Sequence, residues 1–133
     1  MTEIKTGDGW AVASLDALGE GPGFRKIRTA LGVKEFGVNA IVMPPGISAG
    51  VHWHERQEEL YFVHRGTIEI ELGEEGNWVR LGPGALARVD PATPRRVRNS
   101  GDEEAVYVVV GAQGGYVGRD GVAPQGSARV QQA

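Results

Sequence analysis

Residues Gly46 to Gly66 read GISAGVHWHERQEELYFVHRG. The stretch follows Pro44 and Pro45, and two fixed φ angles ahead of a glycine end any ladder and turn the chain. Val51 to His54 then reads as a strand, Glu55 to Glu58 as a polar loop and Glu59 to Arg65 as a second strand, together a hairpin. His52 and His54 are two positions apart, so on a strand both rings leave one face with Cα atoms about 7 Å apart. Two imidazoles so placed converge on one ion at bond lengths of about 2.0–2.2 Å. With 55–58 as the loop, Glu59 falls directly across from His54 on the same face.

Outward from this stretch, the chain is strands and turns. Phe24 to Thr29 alternates apolar and charged residues, and Phe36, Val38, Ala40 and Val42 recur with period two. Ile68, Ile70 and Leu72 alternate with Glu69 and Glu71, a strand with one wet face. Trp78–Leu81, Ala85–Val89, Arg95–Asn99 and Ala105–Val110 supply four more, separated by Gly82-Pro83-Gly84, Asp90–Pro94 and Ser100–Glu104. Ala105–Val110 is apolar throughout and belongs in a central position. Short strands punctuated every eight to twelve residues predict an all-β sandwich or barrel. Before them, Trp10 to Leu18 reads as a strand followed by one helical turn. The expected organisation is an N-terminal extension over 1–23 with a possible strand and dimer contact, a barrel over 24–111, and a tail over 112–133.

At 133 residues, the chain is long enough to bury a core without staples. It has no cysteine, which excludes disulfides, thiol catalysis, zinc fingers and iron–sulfur ligation. A net charge of -3 with interspersed signs gives no field for nucleic acid or an anionic membrane. No leader or membrane-length apolar run is evident, so the expected location is cytoplasmic.

Gly46, His52, His54, Glu59 and Gly66 together resemble the first motif of the cupin superfamily: glycine, five residues, His-x-His, four residues, glutamate, six residues, glycine. The spacing to Gly66 selects Glu59 over Glu58. The resemblance implies a double-stranded β-helix, or jelly-roll barrel, holding a divalent metal ion on His52, His54 and Glu59. The second motif is half present: Gly84 and Asn99 fit, but Asp90 stands in the proline position, Ala92 in the glycine position and Arg95 where the fourth ligand, a histidine, is usual. The likeness covers about Val38 to Val110.

A guanidinium cannot ligate a cation, so three protein ligands are expected, an arrangement open to iron, manganese, zinc or nickel. Arg95 has two alternative roles: clamping a substrate carboxylate beside the metal, or pairing with Glu59 and leaving the barrel metal-free. Tyr61 shares the face of Glu59 and either lines the pocket or packs in the core; His64 and Trp53 face away. Arg80, Arg96 and Arg98 are expected to pair with Glu69, Glu71 or Glu103 as a solvated strand face. Gly114-Gly115-Tyr116-Val117-Gly118 opens no helix and is no phosphate loop. Two functions follow from the resemblance. One is a small-molecule metalloenzyme, oxygenase-like or an isomerase or lyase. The other is a non-catalytic binder or sensor of a small anion. A homodimer is expected from the apolar outward faces.

Overall fold

The computed structural model describes residues 3–125. A short hairpin, β1 (Lys5–Gly7) and β2 (Trp10–Val12), leads through a 3-10 turn at Leu15–Leu18 to β3 (Gly23–Arg25) and a helix, α1 (Ile27–Leu31). The remaining strands are β4 (Gly37–Met43), β5 (Trp53–His54), β6 (Glu58–Arg65), β7 (Ile68–Leu72), β8 (Trp78–Leu81), β9 (Leu86–Val89), β10 (Arg95–Arg98), β11 (Ala105–Ala112) and β12 (Gly121–Val122). The strand expected over Phe24–Thr29 stops at Arg25. The chain then coils into α1, which ends on Gly32 in the left-handed region. Alternation over six residues does not separate these outcomes, and Ile27 settles the matter by packing with Leu15 over Ala40, Val42 and Val106.

Two antiparallel sheets face each other. One runs β3-β4-β11-β6-β9. The other is β10-β7-β8, extended by residues 47–54 through the bridges Ser48–Arg98 and His52–Arg95 and then by β12 on β5. Ile41, Met43, Tyr61, Val63, Ile68, Ile70, Val97, Tyr107 and Val109 fill the space between them. β11 pairs with both β4 and β6, the central place its apolar run predicts. Its Val106 faces outward with Ala40 and Val42 of β4 beneath the N-terminal segment, so these strands are covered on both faces. This is the double-stranded β-helix.

The expected hairpin of 51–54 with 59–65 is corrected. β5 pairs with β12, and β6 pairs with β11 and β9, so residues 55–57 form a corner that carries the chain from one sheet to the other. Glu59 therefore meets His54 across the barrel and is not its ladder neighbour. The expected tail also behaves differently where it is described, because β12 returns to the barrel; 126–133 lie outside the described residues. The expected strand-face pairing is present: Glu71 opposes Arg96 and Glu69 opposes Arg98, each hydrogen-bonded, with Trp78 beneath both guanidinium groups.

Gly66 shows how tightly the turns are set. Its φ is 73°, and a Cβ there would lie 2.5 Å from the Glu104 carbonyl oxygen. Gly66→Ala is expected to destabilise the protein by about 2 kcal/mol or more in denaturant melts. A change below about 0.5 kcal/mol would show that the turn relaxes freely.

Candidate metal centre

Each site residue arrives on a different piece of the barrel. His52 sits opposite Arg95 in the extended sheet, His54 pairs with Gly121, and Glu59 of β6 lies between Gly111 and Val89 in the other sheet. Inward parity brings the three ligand candidates together, with one donor atom of each within 4.8 Å of the others. The rings of His52 and His54 meet edge to face at 5.1 Å. His52, His54 and Glu59 are 9%, 1% and 2% exposed, so their polar atoms have no bulk water to fall back on.

Two of those atoms lack hydrogen-bond partners: His52 Nδ1 and His54 Nε2. His54 Nε2 lies 3.2 Å from Glu59 Oε1 but outside hydrogen-bond geometry. Buried imidazole nitrogens without partners beside a carboxylate are what an ion would satisfy, so the donor set fits a divalent metal.

Behind His54 stands Asp120. Its Oδ1 accepts from His54 Nδ1 at 2.7 Å and from Gln57 Nε2 at 2.6 Å, and its Oδ2 accepts the backbone N–H groups of Arg56 and Gln57 at 2.7 and 3.0 Å. With Nδ1 protonated toward the carboxylate, the Nε2 lone pair is directed into the barrel, the orientation a metal-binding histidine needs. Sequence reasoning missed both Asp120 and Gln57. Asp120 lies 66 residues from His54, in a glycine-rich stretch without periodicity, and no spacing links them.

Arg95 is 1% exposed. Its Nη1 donates to the carbonyls of Pro91 and Thr93 at 3.1 and 2.9 Å, and Nη2 donates to that of Asp90 at 3.3 Å. Nη2 also stands 3.7 Å from Glu59 Oε1, while Nε is buried without a partner. The loop around Asp90–Pro94, where the family's proline and glycine are missing, is thus wrapped on the guanidinium. Tyr61 lies in the core stacked on Tyr107 at 6.1 Å and donates its hydroxyl to Glu59 Oε1 at 3.0 Å. His64 faces outward, beside a separate cavity of about 550 Å³ that Leu15, Arg25 and Val106 also line.

Burial and the Arg95 charge push the His52 imidazole down to about 4. Burial acts against the His54 imidazolium too, but Glu59 and Asp120 outweigh it and hold its pKa above the usual 6.5. Glu59 resists the upward pull of its own burial through His54 and Arg95, and stays below the ordinary carboxylate range. Burial of the Tyr61 phenol, with the Glu59 charge beside it, raises its pKa well above 10, so it is a fixed donor.

The described fold and site define a small jelly-roll barrel with a buried two-histidine, one-carboxylate cluster. The cupin domain family matches residues 39–111, more than half of the chain, and the chain belongs to that family. It is similar to the polyketide synthase CurC of Streptomyces cyaneus, 36% identical over 67 residues, covering 50% of this chain and 42% of that protein. It is also similar to protein SchB of Streptomyces halstedii, 32% identical over 80 residues, covering 60% and 56%. These matches span about half the length of those relatives. Among solved structures, a conserved protein with a double-stranded β-helix domain from Klebsiella pneumoniae superposes with a TM-score of 0.67 at 21% identity, covering 84% of this chain and 95% of its own.

Asp120→Asn is expected to weaken zinc or cobalt binding by about 10–100-fold, measured by titration of the apo-protein, with the circular dichroism spectrum unchanged. Unchanged affinity would mean that Asp120 only fastens the chain. A pH series gives a second check. Because the folded His54 pKa lies above 6.5, a metal must expel a proton there once the pH falls below that pKa, whereas His52 needs no deprotonation until about pH 4. Affinity should therefore fall by about tenfold per pH unit as pH drops below the His54 value. A flat profile between pH 5 and 7 would remove His54 from the ligand set.

Proposed function

We propose that the protein is a metal-dependent enzyme acting on a small, oxygen-rich, anionic molecule, with His52, His54 and Glu59 as the metal ligands and Arg95 and Tyr61 in contact with the substrate. The observation that carries this reading is the pair of buried imidazole nitrogens left without hydrogen-bond partners beside the Glu59 carboxylate. A divalent ion of iron, manganese, zinc or nickel would supply Lewis-acid polarisation of a substrate oxygen there.

The chain's own residues do the rest. Arg95 keeps one donor, Nε–H, unspent and carries a fixed positive charge, both suited to an oxyanion that develops on a substrate carbonyl. Tyr61 holds Glu59 Oε1 by its hydroxyl and keeps the carboxylate oriented. Tyr107, stacked on Tyr61, closes that wall against water. Among oxygenase-like, isomerase and lyase chemistry, this charge layout favours reactions in which negative charge develops on a substrate carbonyl oxygen, a feature shared by isomerases and lyases. The name of CurC, a polyketide synthase, points to a polyketide-type carbonyl compound as the substrate class.

The Arg95–Glu59 contact of 3.7 Å supports a second reading, a metal-free binding protein in which Arg95 neutralises Glu59 and receives a small anion. Metal analysis of protein purified without chelators and then reconstituted separates the two. The enzyme reading expects close to one equivalent, abolished in His52→Ala; less than about a tenth of an equivalent would leave the binding protein. Arg95→His is expected to raise metal affinity, since it replaces a repelling charge by a fourth ligand. No change would mean that residue 95 does not face the ion.

A further inference from the structure

Three cations gather at one end of the barrel without an acid among them. Lys26, Arg28 and Arg119 line a cavity of about 150 Å³ together with Thr29, Asn39 and Tyr116. Lys26 precedes α1, Arg28 and Thr29 lie in it, Asn39 comes from β4, and Tyr116 and Arg119 come from the segment that returns to the barrel after β11. The chain as a whole carries a net charge of -3, so this concentration of positive charge is local and runs against the average. Among the described residues, none of the three cations forms an ion pair. The neighbouring acid is committed elsewhere, since both oxygens of Asp120 are taken by His54, Arg56 and Gln57. Glu35 is exposed and does not line the cavity, although its carboxylate lies at the edge of the cleft, 3.8 Å from where a Cβ on Gly115 would be.

The geometry is also fixed. The Arg28 guanidinium lies 3.9 Å above the Tyr116 ring, which holds its fork in one plane and leaves its N–H edges free to donate. Tyr116 in turn packs beside Gly37, where a Cβ would lie 3.6 Å from its ring edge, an ordinary van der Waals contact. Gly37 pairs with Gly111, and Gly111 pairs with Glu59. Two strand spacings place the cavity about 10 Å from the metal-ligand candidate.

We propose that this cationic cleft of Lys26, Arg28 and Arg119 at the barrel mouth is a binding site for a multiply charged oxyanion of the phosphate type. Three cations around a space of this size suit a tetrahedral dianion better than a single carboxylate, because the paired N–H edges of two arginines match its oxygens and the third charge completes neutralisation. The site anchors the charged end of a ligand whose remainder extends toward His52, His54 and Glu59. That last step rests on the proposed function, but the anion site itself does not depend on the metal.

The test is titration of the apo-protein with inorganic phosphate, followed by protein NMR at constant ionic strength. Acetate is run in parallel. Saturable binding near about 1 mM is expected, with shifts at Arg28, Thr29 and Tyr116. It should weaken at least fivefold in Lys26→Ala and in Arg28→Ala and remain unchanged in Arg80→Ala. Lys26 is exposed, so its variant tests the site without risk to the fold. Absence of saturation, or equal weakening in Arg80→Ala, overturns the site. Acetate binding as tightly as phosphate overturns the phosphate-type assignment. Zinc titration of the same samples keeps the two readings apart: failure to bind zinc with phosphate binding intact sinks the metal centre alone, and the reverse sinks only the anion site.

Discussion

Charge taken out of water is the constraint around which this barrel is arranged. Glu59, Arg95 and two imidazoles share one end of an interior whose other lining is apolar, and each is buried almost completely. An isolated ion there would cost several kcal/mol, so every charge must find a partner within the cluster. Much of the surrounding backbone follows from that need. The loop before β10 turns three carbonyls onto Arg95, the segment after β11 folds back to place Asp120 behind His54, and Tyr61 spends its hydroxyl on Glu59. Since Glu59 belongs to one sheet and the histidines and Arg95 to the other, the same contacts tie the two sheets together where the apolar core ends.

The two sheets meet solvent in different ways. The outer face of β4 and β11 is apolar and lies under the 3-10 turn and α1, which explains why β4 is buried along its whole length. The outer face of the β10-β7-β8 sheet is a ladder of opposite charges laid over Trp78. Cross-strand pairs of that kind contribute only a few tenths of a kcal/mol each at an exposed site, but they help fix register, because a one-residue slip would set Arg96 and Arg98 opposite apolar residues of β7 in place of Glu71 and Glu69.

How much of this could be read from the chain follows from the range of each signal. Alternation in Ile68–Leu72 and the unbroken apolar run of Ala105–Val110 are local consequences of one-sided and two-sided burial, and both identified their strands correctly. Five motif positions in register fixed the family and the three ligand candidates. The hairpin expected between Val51 and Arg65 failed for a physical reason: a sharp turn between two strands looks alike in sequence whether the strands pair or cross between sheets. The ligands still converge, because inward parity is the same in both geometries. Asp120 and Gln57 were invisible because a contact between His54 and a residue 66 positions away leaves no period or composition to detect. The helix at Ile27–Leu31 was hidden by its shortness, and tertiary packing of Ile27 decided it.

Arg95 shows why the missed residues matter most for the chemistry. Replacing a ligating histidine by a guanidinium removes one donor and adds a repelling charge beside the ion, two changes that both weaken metal binding. The structure contains an opposing influence. The carboxylate of Asp120, itself held by four hydrogen bonds, makes His54 a stronger donor and fixes its tautomer, while Glu59 remains ionised through His54 and Arg95. Arg95 therefore acts on the site in both directions: it would repel a bound cation, yet with His54 it helps keep the Glu59 carboxylate in its charged form. A three-ligand centre beside a permanent cation would be better matched to an anionic ligand than a centre of three histidines and a glutamate, because the ligand's negative charge would satisfy the metal and the guanidinium together.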